Sequence, residues 1–440
     1  MISLAEISED ATKPDVVIIL IDDMGWADPG FMPGGVHETP HMDSLAARGR
    51  VFTQACSDGP NCAPSRASMM TGQWSSRHGV TTVGTPRRGK IENRKLEPPP
   101  NGKYLQPDTI TLAERMKGAG YRTVHVGKWH LGEDPTDQGF DVNIGGNRAG
   151  HPKSYFSPYR NADLADGPEG ESLTDRLTDE TLALIDSDDD QPLFLHFSPY
   201  AVHSPFQAKP EEVAALQAAT PGLTKRAASY AAMMHRTDRN IGRLLEHLDD
   251  DTIIIFCSDN GGSGGVSDNG HLRGAKGMLY EGGIRVPLVI AMPGIDSNTC
   301  DVPVTLMDTV PTILELADID YQQEDLDGRS LVPLLHATDT FKSRSLYWHF
   351  PAYLEAGGKA GPWRTTPVGV VREGDWKLLE YFEDDRVELY DLGSDPGETE
   401  NLASSHPKIR ARLLKQMKDW RTRVQAPMPV PVAASPSISS

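Results

Sequence analysis

The sequence predicts an α/β fold: a large mixed, mostly parallel sheet sandwiched by helices, followed by a smaller C-terminal antiparallel sheet subdomain that carries a helix. Three observations predict it. Short continuous apolar runs recur, and each stops at a polar cluster; helical periodicity lies between them; and after about residue 336 the pattern changes to short strands separated by turn signals.

The first run, 15–21, is apolar without alternation from Val16 to Ile21, as expected of a parallel strand covered on both faces, and it stops at Asp22 and Asp23. The run 252–257 repeats this and is followed by Ser258, Asp259 and Asn260. The run 121–126 leads into Gly127, Lys128, Trp129 and His130, and 193–197 leads towards His203. Open parallel sheets bind ligands in the crevice beyond the carboxyl ends of their strands, so these polar groups are expected to converge although they are far apart in sequence.

Between the runs, Leu223, Ala227, Tyr230, Ala231, Met234, Ile241, Leu245 and Leu248 recur at three- and four-residue steps, which predicts an amphipathic helix. A second helix is expected over 111–117, closed by Gly118 and Gly120. Beyond 336, the stretches 369–372, 376–381 and 387–390 read as antiparallel hairpin strands, and a final helix over 407–424 is expected to pack on them. The expected division is a catalytic α/β domain over 1–335, an α+β subdomain over 336–426, and a disordered tail without a core over 427–440.

Composition narrows the function classes. Lys and Arg total 43 against 62 Asp and Glu, a formal charge of −19 that repels polyanions over long range and argues against nucleic acid as a partner. No apolar run approaches the ~20 residues needed to cross a bilayer, so no membrane association is expected. The first residues lack the basic-then-apolar pattern of an export signal. Localisation is therefore periplasmic or secreted if a signal was trimmed, and otherwise cytoplasmic. Cys56, Cys62, Cys257 and Cys300 show no C-x-x-C spacing, which gives neither a zinc site nor a disulfide framework.

Asp22, Asp23, Asp259 and Asn260 are hard oxygen donors that suit Ca2+ or Mg2+. A single Asp-Asp pair is more often a helix cap or a solvated turn; two pairs, each directly past a buried strand, favour a metal site. Cys62 precedes Pro64, a residue favoured in a first helical turn, and the stretch from Arg66 to Gly72 can continue that helix. Side chain 62 is thus expected beside unsatisfied backbone N–H groups and a positive dipole end. Spacing alone does not separate a buried thiol from an activated thiolate there.

The run Cys62-Ala63-Pro64-Ser65-Arg66-Ala67-Ser68-Met69-Met70-Thr71-Gly72 resembles the signature of type I sulfatases, of the alkaline phosphatase-like superfamily, in which the cysteine is oxidised to Cα-formylglycine. Gly127-Lys128-Trp129-His130-Leu131-Gly132, Ser258-Asp259-Asn260-Gly261, Leu272-Arg273-Gly274-Ala275-Lys276-Gly277 and Glu281-Gly282-Gly283-Ile284-Arg285-Val286-Pro287 also resemble the family, as do Asp327-Gly328-Arg329-Ser330-Leu331 and Glu388-Leu389-Tyr390-Asp391-Leu392. The similarity runs from about residue 14 to 403, towards bacterial carbohydrate and arylsulfatases.

The resemblance implies one Ca2+ held by Asp22, Asp23, Asp259, Asn260 and residue 62. It implies a hydrated formylglycine whose hydroxyl, ionised by Ca2+ with help from Asp259, attacks sulfur in line with the ester oxygen. His203 would protonate the leaving alcohol, the kind of help that contributes ~10²–10⁴-fold, while Lys276 holds sulfate oxygens. His130 would then remove the second hydroxyl proton and expel sulfate, with Arg66 and Lys128 supplying fixed positive charge. It further implies maturation by a formylglycine-generating enzyme and a sulfated carbohydrate or aryl sulfate as substrate.

Three rival readings share parts of this pattern. They are a phosphonate or phosphodiester hydrolase on the same scaffold, a non-catalytic calcium-dependent binder of sulfated glycans, and a plain cysteine hydrolase. For substrate contacts, the positive cluster Arg87, Arg88, Lys90, Arg94, Lys95 and Lys103 in the connection 86–103 is expected near the cleft, although a solvated loop fits it equally. The stretches 147–151 and 347–350 are further candidates; for Trp348 and Phe350, core packing is the better reading.

Overall fold

The computed structural model describes residues 13–187, 191–338, 340–356 and 361–432. At its centre a seven-stranded sheet runs in the order Arg50–Phe52, Leu288–Ala291, Ile253–Ser258, Val16–Ile21, Leu193–Ser198, Arg122–Gly127, Val142–Ile144. The last five pair in parallel. Leu288–Ala291 lies antiparallel to both of its neighbours. The four predicted runs are the central strands; the two strands at the antiparallel edge and Val142–Ile144 at the other were not expected.

Val16–Ile21 is buried along its whole length. Val16, Ile18 and Leu20 belong to one apolar cluster and Val17, Ile19 and Ile21 to another, which is why the run shows no alternation. Each face is covered by a helix with its own start signal. Lys225–Leu245 is capped by Thr224, whose side chain accepts from the Ala227 N–H, and it sends Tyr230, Met234 and Ile241 into the second cluster. Leu112–Gly118 opens with a reciprocal capping box between Thr111 and Glu114 and places Leu112 and Met116 in the first.

Strand register positions the site. Ile21 pairs with Ser258, so the chain enters Asp22–Asp23 and Asp259–Asn260 side by side. Gly127 pairs with Ser198, and the Lys128 N–H donates to the Ser198 carbonyl at 2.7 Å, which turns Lys128 towards the same edge.

The second sheet has four antiparallel strands, Ser345–Phe350, Val368–Glu373, Trp376–Tyr381 and Val387–Asp391. On one face the helix Pro407–Arg423 packs Leu413, Met417 and Trp420 against Val371, Leu378 and Leu389. The other face closes over Leu279 and Ile284. Trp348 and Phe350 are core residues there, with Trp348 Nε1 donating to the Ser57 carbonyl at 2.8 Å.

The expected tail needs correction over the part the structure describes. Val430–Pro431 pairs with Leu96–Glu97, and the Val432 N–H donates to the Lys95 carbonyl at 3.0 Å. An apolar-poor segment is thus held by backbone hydrogen bonds that composition does not report. The rest of the tail, 433–440, lies outside the described residues.

His349 ties down the start of that segment: Nε2 donates to the Pro427 carbonyl at 2.8 Å, and the buried Nδ1 has no partner among the described residues. Burial pushes its pKa down to about 4. A histidine depressed below its ordinary 6.5 favours the folded state fully above pH 6.5, and that contribution is lost as pH falls towards 4, about 3 kcal/mol in all. His349→Gln should flatten the fall of melting temperature between pH 6.5 and 4 relative to wild type. Parallel curves for the two proteins would remove His349 from the acid response.

Candidate active site

Cys62 is the first residue of the helix Cys62–Thr71, every residue of which is buried. Asn61 before it is extended at φ −147°, and Gly72 closes the helix at φ 69°, a left-handed position suited to glycine. The backbone N–H groups of the first turn therefore surround side chain 62. Arg66, one turn on, lies on the same face.

Three carboxylates and three fixed cations interlock around Cys62. Arg66 Nε donates to Asp259 Oδ2 at 2.7 Å, and its Nη1 donates to the Lys128 carbonyl at 2.9 Å and to Ser198 Oγ at 2.7 Å. Lys128 Nζ is 2.7 Å from Asp22 Oδ2, with both side chains fully buried. Lys276 Nζ lies 2.6 Å from Asp23 Oδ1 and 2.7 Å from Oδ2, and it donates to Cys62 Sγ at 3.0 Å. Sγ is also 3.7 Å from Asp22 Oδ1 and 3.9 Å from Asp23 Oδ1.

The electrostatics follow this pairing. Burial opposes ionisation of Asp23 and Asp259, yet Lys276 holds the first, and Arg66 the second, below the usual carboxylate range. At Asp22 burial outweighs Lys128, and its pKa rises. The Cys62 thiol is pushed up to about 12, by burial above all, against Lys128 and Lys276.

Asp22, Asp23, Cys62 and His203 offer ligand atoms within 4.8 Å of one another. Asn260 joins them: Nδ2 donates to Asp23 Oδ1 at 2.8 Å, whereas its buried Oδ1 has no partner among the described residues. An unpaired buried amide oxygen costs about 1–3 kcal/mol and fits a site that takes a hard cation. Asp259 stands beside them, its oxygens accepting from the Asp23 N–H at 3.2 Å and from Arg66 Nε at 2.7 Å. Asp23 itself is held at φ 63°, a strained position tolerated best by Asn, Asp and Gly.

The two histidines complete the rim. His203 Nδ1 is 2.7 Å from the Ser204 carbonyl, and its Nε2 is 3.5 Å from Asp23 Oδ2. His130, at φ 65°, has its N–H on the Asn147 carbonyl at 2.9 Å and a buried Nδ1 without a partner among the described residues. Burial, reinforced by Lys128, Arg66, Lys276 and His203, keeps it well below its ordinary 6.5, so it is neutral. A Cβ on Gly150 would come within 2.6 Å of that ring, so only glycine permits this approach.

The expected catalytic and metal-binding residues are thus brought together at the carboxyl edge of the sheet. Cys62, His130, His203 and Lys276 open onto a cavity of about 370 Å3, with Gly150 and His151 in its wall. A larger cavity of about 490 Å3 adjoins it through His151, and one of about 590 Å3 lies apart beside Trp74. Of the positive cluster in 86–103, Arg88 alone lines the cavity. Arg87 pairs with Glu97, Lys90 lies 3.9 Å from Glu92, and Arg94 donates to backbone carbonyls of its own loop. None of 347–350 lines it; Tyr347 stacks on Trp420 at 4.9 Å.

Sequence reasoning missed Ser198, Ser263, whose Oγ donates to Asp23 Oδ2 at 3.1 Å, and Arg364 in the cavity wall. Ser198 ends a predicted strand and was findable by the same rule. Arg364 comes from the distant C-terminal region, where no local pattern points to the cleft.

A family model described as Sulfatase matches residues 14–319. The chain belongs to the sulfatase family. The sulfatase is a sulfuric ester hydrolase, and a second family model, described as the C-terminal part of N-sulphoglucosamine sulphohydrolase, matches its residues 271–423. A relative described as Sulfatase from Formosa agariphila is 29% identical, over 97% of this sulfatase and 92% of its own length. The N-acetylgalactosamine-6-sulfatase of Homo sapiens is 30% identical, over 73% of this sulfatase and 66% of its own length. The crystal structure of Ps i-CgsB in complex with k-i-k-neocarrahexaose is similar with a TM-score of 0.77 at 26% identity, over 93% of each chain.

Proposed function

We propose that this sulfatase hydrolyses sulfate monoesters on a sulfated saccharide, using a formylglycine made from Cys62 and one Ca2+. The observation that carries the reading is the position of side chain 62, within 3.0 Å of Lys276 Nζ and 3.9 Å of two buried carboxylates. The names of the relatives from Formosa agariphila and Homo sapiens support the reaction. The saccharide bound to Ps i-CgsB supports the substrate class.

Asp22, Asp23, Asp259 and Asn260, with residue 62, would hold the cation. Together the two groups supply a cation-activated diol nucleophile at 62. A formylglycine-generating enzyme is the partner required to install the aldehyde. A cysteine hydrolase is disfavoured because a thiol pushed up to about 12 is neutral and a weak nucleophile near neutral pH.

The site's charges favour an anionic ester. Asp22, Asp23 and Asp259 are matched by Arg66, Lys128 and Lys276. A divalent ion would leave surplus positive charge, which an anionic ester and an ionised nucleophile would offset. Lys276 directs its ammonium to sulfate oxygens beside 62, and Arg66 and Lys128 fix the carboxylates. As the acid, His203 would give Nδ1–H to the Ser204 carbonyl and Nε2–H to the ester oxygen. Neutral His130 is the base that receives a proton when sulfate leaves.

Two measurements test this. Peptide mass spectrometry of protein from its own host should find the aldehyde at 62, and turnover of sulfate esters should stop on chelation. A thiol at 62 in active, chelator-insensitive enzyme would refute the reading. His203→Ala should lose about 10²-fold in kcat on an alkyl or sugar sulfate and much less on an aryl sulfate with an acidic phenol, because the better leaving group needs less protonation. Equal losses would take the acid role from His203.

A further inference from the structure

We infer that Arg88 and Arg364 form an anion-binding pair on the rim of the catalytic cavity, and that this pair takes a second anionic group of the substrate. The substrate is then a saccharide that carries another sulfate or a carboxylate besides the ester being cleaved. The inference rests on the reading of the cavity as a saccharide sulfatase site.

Both arginines line the cavity that holds Cys62 and Lys276. They arrive from segments far apart in sequence that the fold stitches together. The Tyr353 N–H donates to the Pro86 carbonyl at 3.1 Å, and Arg87 bridges to Tyr353. A Cβ on Gly89 would meet the Trp363 ring at 2.4 Å, and Trp363 lies 4.6 Å from the Tyr353 ring. Because 88–89 packs on 363–364 in this way, the two guanidinium groups belong to one rim.

Each is anchored without being neutralised. Arg88 Nη2 donates to the Val83 carbonyl at 2.9 Å. Arg364 Nη1 donates to the carbonyl of Lys276 at 3.2 Å, and its stem crosses Gly277, where a Cβ would lie 2.8 Å from Arg364 Cδ. Neither makes an ion pair with any described carboxylate, in contrast to Arg87 with Glu97 in the same loop. In a chain of net charge −19, these two arginines thus bring positive charge to the cavity that holds Cys62. Guanidinium forks held by one backbone carbonyl each keep donors for a planar carboxylate or a sulfate.

The test is calorimetric binding to the full-length protein with Ca2+, which does not depend on turnover. Three probes suffice: a galactose-based disaccharide with one sulfate, the same with two, and a uronate-containing disaccharide with one. Wild type should bind at least one of the doubly charged probes about ten-fold more tightly than the singly charged one, and the probe that gains tells sulfate from carboxylate. Arg88→Gln and Arg364→Gln should each reduce that ratio, and the double variant should bring it near one. Arg87→Gln, paired away from the cavity, should leave it unchanged. Because Arg364 is exposed, its single variant reads the ratio even where the double variant melts early. A wild-type ratio near one, or a ratio kept by both variants, overturns the pair. Loss of 4-nitrophenyl sulfate hydrolysis by wild type, with the ratio intact, would count against the sulfatase reaction and leave the pair standing.

Discussion

Cys62→Ala should lower kcat for any sulfate ester by roughly 10⁵-fold or more, the scale of removing a nucleophile that works as a unit with its neighbours. The fold should survive. The substitution deletes one sulfur at the first position of a helix, and Lys276 keeps Asp23 as its partner at 2.6 Å. The melting temperature in Ca2+ should therefore stay within a few degrees of wild type, as for a loss of about 1 kcal/mol. Cys62→Ser adds a useful control, since it places an oxygen where the sulfur stood without the aldehyde chemistry. More than about 1% residual activity in the alanine variant would rule out residue 62 as the nucleophile.

Asp23→Asn should weaken Ca2+ binding by roughly 100-fold, read by calorimetric titration, because a divalent ion loses a full ligand charge. Asparagine shares the tolerance of aspartate for the left-handed backbone at φ 63°, so the loop keeps its path. The metal-free variant should still melt below wild type, by up to about 3 kcal/mol, because Lys276 is left beside a neutral amide in a partly buried place. Asp23→Ala should be worse by about a further 1 kcal/mol, since alanine resists that conformation. Unchanged Ca2+ affinity in both variants would move the cation away from Asp23.

The amino-acid order made some parts of this site plain and hid others for physical reasons. A buried parallel strand is mostly apolar on both faces, so the polar residues that follow it mark its end; that rule located Asp22 and Asp259, and with them the active edge, whereas the strand before Lys128 itself carries Arg122, Thr123 and His125. The helix start at Cys62 was equally visible through Pro64 and Gly72. By contrast, Leu288–Ala291 is a short apolar run whose antiparallel direction depends on its neighbours, and nothing local encodes that. Arg364 is an exposed arginine in a short hairpin strand, and only the packing of Trp363 on Gly89 brings it to the cavity. Of the charge cluster in 86–103, Arg87, Lys90 and Arg94 are engaged by Glu97, near Glu92 and within the loop, which leaves Arg88 at the cavity.

The pairing of Val430–Pro431 with Leu96–Glu97 would give this C-terminal segment a hold on the proposed anion-binding rim. The segment it clasps is the one that carries Arg88, while Cys62 opens a buried helix and its carboxylates follow the central strands behind. A truncation after Ala426 would release that clasp and the anchor at Pro427, letting the loop swing away from the cavity mouth. Such an enzyme would keep its reacting centre and lose discrimination among saccharides first. On the proposed reading, the rim that selects and the sheet edge that reacts rest on different supports, and they can be damaged separately.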